Sequence, residues 1–139
     1  MNYLLTVLLT ITTLTLVSGQ YTEIYEKLVR PHAEMCAESV GASSDDVNTV
    51  SKHEKLSTET LACLQYCVYH HLSLMDKLVL ASQEDLVAIY KEVHAENPAK
   101  LEHAEENVKQ CTDAGQAVVD QMDPCLFAQT IQECFRTQQ

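Results

Sequence analysis

Hydrophobic positions recur along this chain at spacings of three and four, the period of an α-helix with one buried face. No stretch alternates with period two for any useful length. Gly and Pro are scarce, three of each, so every break is informative. Start and stop signals divide the chain beyond residue 20 into six helices, an all-α compact bundle.

The first helix covers 22–39, with Ile24, Leu28, Met35 and Cys36 on its inner stripe. Pro31 removes one backbone hydrogen bond inside it, which predicts a kink or break near Leu28. Gly41 stops it. Ser43, with Asp46 three residues on, is a capping box that opens a short second helix ending near His53. The third runs over 57–75, with Leu64, Val68, His71 and Met75 on one face and Cys63 and Cys67 beside it. An apolar connector over 77–81 is too short for a helix. Ser82 and Asp85 form a second capping box, and Leu86, Ile89, Tyr90 and Val93 follow at helical spacing. Asn97-Pro98 starts a fifth helix with Leu101, Ala104, Val108 and Cys111 inward, and Gly115 marks its end. Asp123-Pro124 repeats that signal for the sixth, which holds Cys125, Phe127, Ile131, Cys134 and Phe135.

Residues 1–19 carry no charged side chain, and 3–17 are a run of Leu, Val, Ile and Thr. With Val17-Ser18-Gly19 behind them, they read as a secretory signal peptide cut before Gln20. The apolar run is shorter than the roughly 20 residues a membrane span needs, and Thr interrupts it. One domain, 20–139, remains, and the expected product is extracellular with no stable membrane insertion. Its formal charge of -11 repels phosphate backbones, so nucleic acid is not an expected partner. No Asn-x-Ser/Thr triplet is present.

Six cysteines in an exported chain predict three disulfides. Fifteen pairings exist, and spacing alone does not choose among them. Cys63 and Cys67 project the same way from one helix, so each should reach a different neighbour. Cys125 and Cys134, nine residues apart in helix, lie on opposite faces and should also bind different partners. Cys63, Cys67, His70 and His71 superficially resemble a metal site. A zinc tetrahedron usually closes with pairs from two separated segments, and export oxidises the thiols, so no metal is expected.

The spacing Cys36-x26-Cys63-x3-Cys67-x43-Cys111-x13-Cys125-x8-Cys134 resembles that of the insect odorant-binding protein family, of the pheromone-binding and general odorant-binding type. The x3 and x8 gaps carry the resemblance, with the helix count, acidity and size. It implies interlocked bridges Cys36–Cys67, Cys63–Cys125 and Cys111–Cys134. It also implies an apolar cavity between helices, a carrier role for small apolar ligands such as volatile odorants or pheromones, and delivery to a membrane odorant receptor by a monomer or homodimer.

The expected cavity lining is Met75, Leu78, Leu80, Ile89, Tyr90, Val93, Val108, Val118, Met122, Ile131 and Phe135. Methionine suits it because a flexible thioether adapts to different shapes, and small residues such as Ala104, Ala114 and Ala128 leave room. Tyr66, Tyr69 or Tyr90 could anchor a ligand oxygen. A ligand of ten to fifteen carbons would gain about 8–12 kcal/mol from burial at about 0.8 kcal/mol per methylene. Six histidines, His32, His53, His70, His71, His94 and His103, raise a pH switch, with His70-His71 the closest pair in sequence. The residues after Phe135 are too few to fill a cavity in acid.

Catalysis is not expected. No Gly-x-Ser-x-Gly or His-Glu-x-x-His motif occurs, no Gly-rich calcium loop accompanies a His-Asp pair, and no cofactor motif is present. The alternative reading is a secreted helical interaction protein, or a lipid or hormone scavenger outside olfaction, which would need an exposed apolar face.

Overall fold

The computed structural model describes residues 23–138. The signal peptide and its cleavage before Gln20 lie outside them. Among the described residues there are seven α-helices, one 3-10 turn and one two-stranded hairpin.

Helix α1 covers 23–40 and runs unbroken through Pro31. Tyr25, Val29, Ala33 and Cys36, four, four and three apart, are its buried face. That packing holds the helix together where proline removes one bond. Met35, expected inside, is 64% exposed; one residue from Cys36 is a rotation of about 100° on a helix. Helix α2 (Ser44–Ser51) has the expected capping box, Ser43 Oγ accepting from the Asp46 N–H at 3.1 Å and Asp46 Oδ2 from the Ser43 N–H at 3.0 Å.

Helix α3 (Glu59–His71) stops four residues earlier than the pattern predicts. Ser73 adopts φ 59°, its N–H bonds the His70 carbonyl, and the Leu74 N–H bonds the Tyr69 carbonyl. This left-handed Schellman stop releases Met75 from the helix. The chain then forms strands β1 (Met75–Asp76) and β2 (Val79–Leu80), antiparallel with Met75 opposite Leu80. Tyr66 Oη accepts from the Lys77 N–H at 2.8 Å and pins this hairpin to α3.

Helix α4 (Gln83–Val93) opens with Ser82 Oγ accepting from the Asp85 N–H. The single fifth helix of the sequence reading is two: α5 (Pro98–Glu102) and α6 (Ala104–Gln116), separated at His103. Helix α6 ends one residue past Gly115, as expected, but Gly115 is not a left-handed stop. It is buried within α6, where a Cβ would stand 2.6 Å from Ile131 Cγ1 and 2.9 Å from Phe127 Cε2. Its lack of a side chain lets α6 approach α7 (Pro124–Thr137) closely. A 3-10 turn (Val119–Gln121) joins them, and Asp123 caps α7 by accepting from the N–H groups of Cys125 and Leu126.

Disulfides join Cys36 to Cys67, Cys63 to Cys125 and Cys111 to Cys134, the pairs the resemblance implies. They tie α1 to α3, α3 to α7 and α6 to α7. Their separations of 31, 62 and 23 residues correspond to about 3.4–4.3 kcal/mol each in the chain-entropy model, although interlocked loops do not add. The core is divided into three clusters. One centres on α1, α2 and α3 with Val93, a second on Met75, Phe127, Ala128 and Ile131, and a third on Val87, Tyr90, Ala104 and Val108.

Candidate functional site

Where the three clusters meet, they leave an apolar cavity of about 90 Å³. Helix α1 contributes Tyr25, Leu28 and Val29, and α3 with the residues after it contributes Tyr69, Leu72 and Leu74. The hairpin supplies Met75 and Leu80, a partner pair in its register. Helix α4 adds Leu86, Ile89, Tyr90 and Val93, followed by His94 at its end. Thr112 of α6 and Ile131, Gln132 and Phe135 of α7 complete the wall with His53.

Seven expected residues therefore line it: Met75, Leu80, Ile89, Tyr90, Val93, Ile131 and Phe135. Four do not. Val108 is fully buried between α4 and α6, where it seals the third cluster. Leu78 and Val118 pack, half-buried, on the outside of the second. Met122 is 75% exposed, because the left-handed turn after Gln121 directs it outward. Ala104 and Ala128 are buried within clusters rather than on the wall, and Ala114 is half-buried, so none of them makes the room. Space arises where separate clusters fail to merge.

Tyr66 serves the hairpin, whereas Tyr69 and Tyr90 face the cavity with their hydroxyls already engaged. Tyr90 Oη accepts from Asn107 Nδ2 at 2.9 Å, and burial pushes its pKa up against that bond. Tyr69 donates to Gln132 Oε1. Gln132, 3% exposed, is the hub of the polar end of the cavity. Its Nε2 donates to Tyr25 Oη at 2.9 Å and to His53 Nδ1. A buried amide with its bonds made in this way costs little, and one stripped of them is expensive. Nothing in the periodicity distinguishes Gln132 from a surface glutamine; only its place between Ala128 and Phe135 on α7 hints at burial.

His53 was named for a pH switch but missed as a wall residue, since it occupies a turn with φ 58° rather than a helix face. The segment behind it is stitched to α7: the Leu56 N–H donates to Glu133 Oε1 at 2.8 Å, and Gln129 Nε2 donates to the Leu56 carbonyl at 2.7 Å. Burial lowers the His53 pKa to about 4, helped by His94 and Arg136 and opposed by Glu133. His94 stacks on Tyr90 with ring centroids 4.3 Å apart. Burial and then Lys100 lower its pKa to about 4 as well. Both imidazoles are neutral at pH 7. His70 and His71, the adjacent pair among the six histidines considered for a switch, are exposed. The C-terminal residues stay outside the cavity, Gln138 accepting from Lys100 Nζ at 2.7 Å and donating to the Asn107 carbonyl.

An apolar cavity of about 150 Å³ is the size that takes one benzene, so this one is smaller than a single ring requires. That is well below the ten to fifteen carbons anticipated. A larger ligand requires the wall to move. Cys36, Cys67 and His71 come together, but the two sulfurs are bonded to each other and have no thiolate to offer a metal.

The fold matches that of known proteins. A pheromone-binding protein of the cockroach Leucophaea maderae, solved with the fluorescent reporter ANS, superposes with a TM-score of 0.69 at 22% identity over 83% of this chain and 95% of that one. An odorant-binding protein of Drosophila melanogaster, dmelOBP28a, gives 0.65 at 28% identity over 80% and 88%. General odorant-binding protein 19d of the same fly is 27% identical over 82% of this chain and 76% of its own length. The PBP/GOBP family matches residues 18–138. With its spacing of cysteines, its helices and its cavity, this chain belongs to the PBP/GOBP family.

Proposed function

We propose that this protein is exported, takes up a small volatile or otherwise poorly soluble organic molecule in the cavity between α1, α3, α4 and α7, and delivers it to a membrane receptor. The observation that carries the reading is the apolar cavity itself, in a chain of a family of odorant and pheromone carriers. Its wall is aliphatic and aromatic apart from Thr112, Gln132 and the polar atoms of its tyrosines and histidines, so it suits ligands with little polarity. Binding is driven by removal of apolar surface from water and needs no reaction.

The rival, a protein acting through its outer face, is not favoured. The large exposed hydrophobics Met35, Val79 and Met122 stand apart on three different elements, and single exposed apolar residues are ordinary. Among the described residues no helix is long and apolar enough to cross a membrane.

Two measurements test the proposal. Protein expressed in insect cells should be recovered from the medium with an intact mass that starts at Gln20. Calorimetric titration with short alcohols, aldehydes and esters should give saturable heats that glycerol does not. Failure of every apolar compound up to its solubility limit would refute the carrier reading.

A further inference from the structure

Aromatic rings are concentrated at the cavity. The described residues hold six Tyr and Phe side chains, Tyr25, Tyr66, Tyr69, Tyr90, Phe127 and Phe135, and four of them line it, all but Tyr66 and Phe127. The imidazoles of His53 and His94 join them. These six rings fall into two groups on different elements. Tyr25 and His53 have centroids 4.6 Å apart with planes tilted by 60°, and Tyr69 reaches the same end through Gln132. Tyr90 lies 4.3 Å from His94 and 5.9 Å from Phe135, tilted by 44° and 40°. Burial keeps both imidazoles uncharged at neutral pH, so they act as flat neutral rings and not as cations.

The lining, more than the size, points to the guest. One six-membered ring needs about 150 Å³, so the cavity of about 90 Å³ must open modestly to take it. A long chain would have to coil to use the same space. Aromatic pairs prefer tilted or offset arrangements, in which a positive ring edge meets a negative face. Walls already tilted in two groups present both edges and faces to a flat guest. We infer, building on the carrier reading above, that the cavity is selective for a neutral monocyclic aromatic compound with a short substituent over saturated rings and alkyl chains of equal size. Each guest–wall ring pair contributes roughly a 2- to 12-fold preference beyond area burial.

The test is calorimetric titration of the disulfide-intact protein with 2-phenylethanol, 2-cyclohexylethanol and 1-octanol, which share one hydroxyl and the same number of heavy atoms. The phenyl compound is the least hydrophobic of the three, so area burial alone ranks it last. The inference expects it to bind at least about threefold tighter than either of the others. In Phe135→Leu the phenyl-to-cyclohexyl preference should fall by about threefold or more. The native ranking decides the matter even if that variant does not fold. Equal or tighter binding of 1-octanol or 2-cyclohexylethanol overturns the inference and leaves the carrier reading standing. So does an unchanged preference in folded Phe135→Leu. Binding of none of the three overturns the inference, and the carrier reading falls with it when every other apolar compound fails as well.

Discussion

Acidification should destabilise this protein through His53 and His94, well before its carboxylates titrate. Each has a folded-state pKa of about 4 against about 6.5 unfolded. Above pH 6.5 both states hold the rings neutral and nothing is lost. As pH falls below 6.5 the unfolded chain takes up protons that the folded chain refuses, so stability drops until the folded pKa is reached. At pH 5.5 the loss is about 1.4 kcal/mol per histidine, or about 3 kcal/mol for the pair. Glu133, whose pKa lies below its ordinary value because Arg136 and the Leu56 N–H outweigh its burial, loses its contribution only at lower pH. The interval from 7.5 to 5.5 therefore isolates the imidazoles. Urea unfolding at those two pH values should shift the midpoint by about 1–3 M, using a slope of about 1–3 kcal/mol per M. His53→Gln and His94→Gln should each remove about half of the shift. Because both rings line the cavity and stay neutral in the folded protein over this interval, affinity for an apolar ligand should hold there and fall only as pH approaches 4. Equal stability at the two pH values, or a shift that survives in the double variant, would refute the reasoning.

Gly115→Ala should gain about 1 kcal/mol of helix propensity and lose about 1–3 kcal/mol to overpacking against Ile131 and Phe127. The expected net destabilisation is about 1 kcal/mol by chemical unfolding, shrinking by at least half in an Ile131→Ala background. Ligand affinity should fall too, since the displaced Ile131 moves toward the cavity it lines. Gln132→Leu removes the bonds to Tyr25, His53 and Tyr69 and should cost about 2–4 kcal/mol, despite a more apolar wall. A thermal midpoint equal to the parent's would contradict the assigned hub. Replacing Cys63 and Cys125 with serine opens the 62-residue separation and should cost about 4 kcal/mol, a large share of the 5–15 kcal/mol typical of a domain.

Much of this architecture could be read from residue order, and the misses have physical causes. Helix starts were legible because Ser43, Ser82, Asn97 and Asp123 advertise side-chain caps, and each caps a helix. Helix ends were less so. Schellman stops after α1, α2 and α3 place Gly41, His53 and Ser73 in left-handed backbone, and only the glycine declares itself. Missing the stop at Ser73 hid the hairpin. Gly115 marked the end of α6 for the wrong reason, because a glycine kept for close packing looks like one kept for a turn. The hydrophobic wall was half visible: residues at helical spacing on α4 and α7 were found, whereas Leu72, Leu74 and His53 occupy irregular backbone with no period to read. On α1 the buried stripe was read one position off, since Ile24 was chosen where Tyr25 is buried and Val29 was passed over, although the chosen Leu28 does reach the wall.

The cross-links are unevenly distributed around the cavity, and this sets how it can deform. Between Cys67 and Cys111 no covalent anchor occurs, and that stretch holds the hairpin and α4. Helices α1, α3 and α7 form a fixed jaw, clamped by Cys36–Cys67 and Cys63–Cys125, while the hairpin and α4 form a jaw held by side-chain contacts alone. Swelling around an oversized guest, and the breathing that admits and frees it, should fall on that second jaw. Tight binding of bulky molecules would then be read as extra hydrogen exchange over 75–93, with the clamped helices unchanged.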